Sequence, residues 1–282
     1  MTKAASAEPW WSRVLRFYLQ LDHGAVRAIA FVRNALGAGL SHALTPQEKD
    51  ELTRRLYDAL PFATGRGDRL LPWEEVWYRQ QLPAAATDIL LGGAGTGREV
   101  HWLRAHGHRV AAFDIAPSSL GLLRAAVGDD RDALIGSYAE LVAAVRGEPS
   151  PLSGLAERRF GAVILGLGSF SHVLGVPAQR ELLQAANTLC PQGPILASCF
   201  FTVDEAPRDP PPRSRAADTG RYIGRHFARW RGLTPQDFEE QLLPRTGFVH
   251  ISTPRELSAL AASVDRRIQL EPDSFVHVTF VR

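Results

Sequence analysis

The spacing of apolar positions changes along the chain. From Trp10 to about Leu60 it is helical: Val14, Phe17, Tyr18 and Leu21 recur on one face, as do Val26, Ile29, Ala30 and Val32. Thr45-Pro-Gln-Glu48 is a helix start, with Thr45 as N-cap, Pro46 at the first helical position and Glu48 three residues in. That helix is expected to run through Leu52, Leu56 and Tyr57 to about Leu60. Residues 1–8 lack any pattern and read as a disordered tail. A connector over 62–87 holds a short amphipathic segment, Pro72 to Tyr78, with Trp73 and Trp77.

From Asp88 short apolar runs alternate with helical segments. Strands are expected at 88–92, 109–114, 132–136, 160–165 and 194–201. Helices are expected at 98–106, from Pro117 to near Gly128, at 138–146 and at 177–189. Such alternation predicts an α/β fold, a Rossmann-like doubly wound, mostly parallel sheet. After the fifth strand, 202–232 reads as irregular, because Asp209-Pro-Pro-Pro-Arg213 fits neither a helix interior nor a central strand. Thr253-Pro-Arg-Glu256 caps a further helix to about Val264. Runs 267–270 and 275–281, linked by Glu271-Pro-Asp-Ser274, form an antiparallel hairpin that completes seven strands. The organisation expected is a helical extension over 1–70 and an α/β domain over 71–282, with 202–232 an insertion on the substrate side.

Composition narrows this picture. With 282 residues, 45% of them hydrophobic, the chain can build one large core. A formal net charge of +2 implies no general attraction to nucleic acid or membrane. Two cysteines, Cys190 and Cys199, lie in apolar runs and read as core thiols of a reducing, cytoplasmic compartment. The nine histidines are scattered, so no metal site is expected. No signal peptide or spanning segment is evident. Heavy use of Arg, Ala, Leu and Pro suggests a GC-rich bacterial source.

The chemistry concentrates at Asp88-Ile-Leu-Leu-Gly-Gly-Ala-Gly-Thr-Gly-Arg-Glu99, a strand, glycine turn and helix start. Glycines at 93, 95 and 97 let a ligand lie against bare backbone at the positive end of a helix. The next strand ends in Asp114, the usual place for an acid that holds two ribose hydroxyls. The G-x-G-x-G spacing departs from the G-x-G-x-x-G of dinucleotide folds. Together with the following Gly-Arg-Glu it resembles the class I S-adenosylmethionine-dependent methyltransferases. The similarity covers roughly residues 70–282.

The resemblance implies a seven-stranded sheet with an antiparallel last strand, and S-adenosyl-L-methionine as cofactor, released as S-adenosyl-L-homocysteine. It implies that the methionine part lies on Gly93, Ala94, Gly95 and Gly97 and that Asp114 binds the ribose. Ile115, Ser137, Tyr138, Gly166 and Leu167 complete the expected cofactor set. Two departures stand out. The acid often found two residues before the first glycine is Leu91 here, with Glu99 as a substitute, and Ser137-Tyr138 replaces an acid near the third strand.

The reacting groups are expected beyond the fourth strand, in Gly168-Ser-Phe-Ser-His172. This run resembles the Asn-Ser-Phe-Ala-His run of small-molecule N-methyltransferases, while the Asn-Pro-Pro-Tyr motif of base-modifying enzymes is absent. His172 is the candidate general base, since an imidazole titrates near neutral pH; a loop-capping or cofactor-contacting histidine is the alternative. Ser169, Tyr78, Tyr222, Arg225 and His226 are candidate acceptor contacts, and for Tyr78 core packing is the commoner fate. Arg208, Arg213, Arg215, Arg221, Arg225, Arg229 and Arg231, with Tyr222, His226 and Trp230, read mostly as a solvated loop with one or two carboxylate ligands. A nucleic-acid groove is the disfavoured reading.

The expected activity is methyl transfer to O or N of a small molecule, with a secondary metabolite as one class. Alternatives are an RNA or protein methyltransferase, a non-catalytic cofactor-binding scaffold and, more distantly, a nicotinamide-dependent oxidoreductase. The N-terminal helices read as sheet packing, a homodimer contact or a lid over the acceptor.

Overall fold

The computed structural model describes residues 10–59, 69–202, 215–233, 240–243, 246–271 and 276–282, with backbone alone for 10–23 and 276. The chain forms two compact units. One combines Met1–Ala43 with Asp209–Asp237, the other Leu44–Arg208 with Phe238–Arg282. This division differs from the expected boundary at residue 70.

In the first unit α1 (Trp10–Ala43) is one continuous helix. In the second come α2 (Pro46–Ala59), α3 (Pro72–Gln81), β1 (Asp88–Gly92), α4 (Arg98–Ala105), β2 (Arg109–Asp114), α5 (Leu120–Val127), β3 (Ala133–Ile135), α6 (Tyr138–Val145), α7 (Ser153–Ala156), β4 (Ala162–Leu165), α8 (Val176–Leu189) and β5 (Ile195–Cys199). The first unit then adds α9 (Arg215–Trp230). The second closes with β6 (Glu240–Leu243), β7 (Gly247–His250), α10 (Pro254–Ala262), β8 (Arg267–Glu271) and β9 (Val276–Val281).

Seven strands form one sheet in the order β3-β2-β1-β4-β5-β9-β8. The first five pair in parallel, and β9 runs antiparallel between β5 and β8. The β1, β4 and β5 strands read as unbroken apolar runs because both faces are covered, and Ile89, Leu90, Leu91, Ile164 and Leu196 are fully buried. One face packs on α6, α8 and α10 through Leu141, Leu182, Leu183 and Leu260. The other packs on α3, α4 and α5 through Trp77, Val100, Leu103 and Leu123. Strand order reverses between β1 and β4, which opens a crevice at the carboxyl ends of those strands.

The helix starts follow the sequence signals. Thr45 N–H donates to Glu48 at 2.8 Å while Glu48 N–H donates to Thr45 Oγ1 at 3.2 Å. Ser137 with Glu140, and Thr253 with Glu256, repeat this reciprocal cap on α6 and α10. The β6–β7 hairpin is a separate two-stranded sheet, whose first strand the sequence pattern did not reveal.

In the helical unit α1 and α9 run in parallel, with Ala35 against Gly220 and Gly39 against Gly220 and Gly224. Arg231 donates to the carbonyl of Ala43 at 2.8 Å. A Cβ at Gly220 would stand 2.0 Å from the Ala35 carbonyl oxygen, so only glycine permits this approach. The expectation that 202–232 is irregular is therefore corrected over 215–230, where small residues at every fourth position make a helix face. Asp209–Arg213, Arg208 and the tail 1–8 lie outside the described residues, as do positions 272–274 of the hairpin link. Val26, Ile29, Val32 and Leu36 on α1 and Ile223, Phe227 and Trp230 on α9 are exposed. Among the described residues no helix is long and apolar enough to cross a membrane.

Candidate active site

The carboxyl ends of β1, β2 and β4 open into a cavity of about 1440 Å³. Gly93, Ala94, Gly95 and Thr96 form one wall, and Asp114 and Ile115 lie at the tip of β2. The loop is held in an open coil by glycines with φ of +66°, +53° and +91° at 93, 95 and 97. A Cβ at Gly93 would come within 2.6 Å of Ser169. Gly97 and Gly166, both expected cofactor contacts, do not line the cavity. Gly97 instead lets α4 meet α5, where a Cβ would stand 2.6 Å from Ala126. Gly166 donates its N–H to the Gly92 carbonyl and lets β4 close on the loop.

Asp114 ties this floor together. One carboxylate oxygen accepts the Gly95 amide at 2.7 Å and the other the Ala116 amide at 2.9 Å. The Ile115 amide and the Ser119 hydroxyl also face this carboxylate, so a ligand's hydroxyls would share its lone pairs with the protein. Burial pushes its pKa up, against the pull of the backbone amides. Glu99 also lines the cavity, where the forked guanidinium of Arg98 binds it at 2.7 Å and Glu74 at 2.5 and 2.7 Å. Burial raises the Glu99 pKa, with Arg98 opposing.

On the far side of the loop the walls come from α6, α8, the 3-10 turn Ser169–His172 and α2, one of the N-terminal helices for which a lid over the acceptor was among the expected readings. Ser137 and Tyr138 line the cavity as expected, but their hydroxyls already serve the protein. Ser137 caps α6, and Tyr138 shares a 2.6 Å hydrogen bond with Ser169. The Tyr138 ring stands edge-on to Phe113. Ser169 also donates to the Gly166 carbonyl at 2.9 Å, and Leu167 completes that edge.

His172 lines the cavity with its ring fixed at both nitrogens. Nδ1 lies 2.9 Å from the Phe248 carbonyl, which can only accept, so Nδ1 carries the proton. Burial depresses the His172 pKa, so the ring is neutral and Nε2 accepts the Tyr57 hydroxyl at 2.9 Å. Burial holds the Tyr57 phenol up at about 12. Tyr57 belongs to a face of α2, with Pro46, Asp50 and Thr53, that lines the cavity. Three ties seat this helix: the Tyr57–His172 bond, a buried ion pair of Lys49 with Glu240, and the Ser118 amide on Asp58 at 2.8 Å. Helical spacing was the available signal for these residues, since 46, 50, 53 and 57 share one face, but none of them was singled out as a site residue.

Tyr78, an expected acceptor contact, is corrected. It is fully buried, stacked on Trp77 and tilted against Trp102, and burial drives its pKa well above 10. Tyr222, Arg225 and His226 belong to the helical unit, where with Asp218, Arg221 and Arg229 they edge a shallow hollow on α9. The cavity beside the glycine loop is lined by residues of the sheet unit.

No family model matches the chain, and no curated protein does. Among solved structures, an O-methyltransferase family protein from Burkholderia thailandensis superposes with a TM-score of 0.51 at 15% identity, over 95% of this chain and 70% of that one. The methyltransferase CcbJ from Streptomyces caelestis gives 0.48 at 17% identity, over 81% and 95% of the two chains. A 1,6-didemethyltoxoflavin-N1-methyltransferase from the same Burkholderia gives 0.43 at 15%, over 99% and 92%. The first of these likenesses, with the strand order above, shows that the sheet unit has the class I methyltransferase fold.

Proposed function

We propose that this chain is an S-adenosylmethionine-dependent methyltransferase acting on O or N of a small molecule. The observation that carries the reading is the bare backbone of Gly93–Gly95, tied to the Asp114 carboxylate at 2.7 Å, on the floor of a cavity large enough for a nucleoside and an acceptor together. The residues fit the cofactor. The Asp114 carboxylate at the cavity edge suits ribose hydroxyls, and the Gly93–Thr96 backbone with Glu99 suits an amino acid moiety. Ile115 and Leu122 offer apolar contact to a base. When bound, the cofactor would supply an electrophilic methyl carbon on a sulfonium, open to an acceptor lone pair, with the thioether sulfur as the leaving group that keeps the C–S bonding pair.

The chain's own contribution is alignment. Positioning a nucleophile for in-line displacement supplies much of the rate, and little acid–base help is needed. His172 lines the cavity but its Nε2 is engaged by the Tyr57 hydroxyl, so we assign it to orienting that phenol and taking a proton through it, rather than directly from the acceptor. The wide cavity and the near-neutral charge of the chain favour small acceptors over RNA. Both cysteines are free and buried, which suits a reducing compartment such as the cytoplasm. The exposed apolar stripe on α1 supports a homodimer through the N-terminal helices, tested by the mass in solution.

The test is incubation with the cofactor labelled at its methyl group and a mixed pool of phenols, carboxylic acids, amines, RNA and protein. Label in the small-molecule fraction supports the proposal. Label in RNA or protein, or in no fraction, contradicts it.

A further inference from the structure

The cavity contains a carboxylate that the reading above leaves without a task. Asp50 lines the wall on α2, one turn from Thr53 and two from Tyr57. It makes no hydrogen bond or ion pair with any described residue. The other acids of the lining are mostly engaged: Glu99 with Arg98, Glu181 with Arg146 at 3.0 Å, and Asp114 with backbone amides. A largely buried carboxylate without a partner is costly, and that cost is relieved when a ligand brings the missing cation. The arginines of the lining tell the same story from the other side. Arg98 and Arg146 each already hold a carboxylate, so neither is left over for an acidic substrate.

We infer that the acceptor is a primary or secondary amine, bound as its ammonium by the Asp50 carboxylate with the Tyr57 hydroxyl alongside. This deepens the methyltransferase reading and rests on it. Asp50 accepts two ammonium N–H bonds, then takes one proton from nitrogen, leaving a neutral amine with its lone pair free. The charged groups around Asp50 support both steps. Glu240 from β6 and Glu140 from α6 make its surroundings negative, while Lys49 on the same helix partly offsets them. Burial and those two acids hold the Asp50 pKa at about 6, a stronger base than an ordinary aspartate. The cavity is lined in addition by Val142, Val173, Leu174 and Leu182, which suits an amine with an apolar body.

The test is binding, measured on the full chain saturated with S-adenosylhomocysteine. The probes are phenethylamine, 2-phenylethanol and phenylacetate, and hexylamine, hexanol and hexanoate, followed by saturation-transfer NMR. For each skeleton the amine is expected to half-saturate at a concentration at least roughly tenfold below its alcohol and its acid at pH 8. In the wild-type chain this preference is expected to collapse as pH falls through about 6, where Asp50 takes up a proton and the amine stays cationic. Burial depresses the His172 pKa, so its ring is neutral at pH 8, where the probes are compared. Asp50→Asn is expected to remove the preference at every pH. Equal or better binding of alcohols or acids, binding of none of the amines, or a preference that survives both low pH and D50N overturns the inference. The homocysteine titration on the same sample separates the two readings: failure there sinks the methyltransferase proposal, whereas success without amine preference sinks only this one.

Discussion

At the scale of single residues, the site is built from side chains whose hydrogen-bonding capacity is mostly spent on the protein. Asp114 is the instructive case, because it holds the glycine loop and is the expected ribose ligand at once. Asp114→Ala is expected to weaken cofactor binding by about 1–3 kcal/mol, read by calorimetry. Unchanged affinity would remove Asp114 from the site. Asp50 makes a prediction of opposite character. Its folded-state pKa of about 6 lies above the ordinary 3.8, so the native state binds the proton more readily than the unfolded chain. Its contribution to stability is therefore present below about pH 4 and is lost as pH rises through 6. Asp50→Asn is expected to stabilise the fold by about 1–3 kcal/mol at pH 7 and by little at pH 4, in urea titrations at the two pH values. A destabilised variant at pH 7 would mean that Asp50 is satisfied by the protein. Tyr57→Phe leaves His172 Nε2 without its donor; turnover is expected to fall more than cofactor affinity, and an unchanged turnover would exclude the Tyr57–His172 pair from catalysis.

At the scale of elements, α2 adds a wall to the cavity beside the glycine loop. Its seat depends on the buried Lys49–Glu240 pair. Removing one partner leaves an uncompensated buried charge, so Lys49→Met is expected to cost about 3–5 kcal/mol, while Lys49→Met with Glu240→Leu recovers most of it. A double variant no more stable than the single one would place the seat elsewhere. In the helical unit, Gly220→Ala tests whether packing or propensity decides. Propensity alone favours alanine by about 1 kcal/mol. The Ala35 carbonyl, 2.0 Å from the added Cβ, reverses that sign, so the variant is expected to unfold at lower temperature.

The sequence pattern located α2 and its cap, because Thr45 and Glu48 meet within one turn. It left a lid, sheet packing and a homodimer contact open for α2, because the partners that seat it, His172 and Glu240, lie 115 and 191 positions away. It missed α9 because the adjacent prolines signal an irregular segment, while the small residues 216, 220, 224 and 228 carry no hydrophobic periodicity of their own.

At the scale of the molecule, the parallel sheet was legible because its strands are buried on both faces and read as unbroken apolar runs. The glycine loop and Asp114 were legible because their chemistry is local to β1, β2 and the turn between them. What the sequence could not display was the division into units, since α1 and α9 are joined through contacts between distant backbones. Nor could it show that Tyr78, placed beside the site by proximity along the chain, is drawn into the core by its stacking on Trp77. Methyl transfer by this chain requires that the Gly93–Thr96 backbone with Asp114 bind a sulfur nucleoside. The most direct measurement is calorimetric titration of the purified chain with S-adenosylmethionine, S-adenosylhomocysteine and NADH. Binding of both sulfur nucleosides at roughly micromolar dissociation constants, about −8 kcal/mol, without binding of NADH, is the predicted result. Binding of NADH alone, or of none of the three, would contradict it.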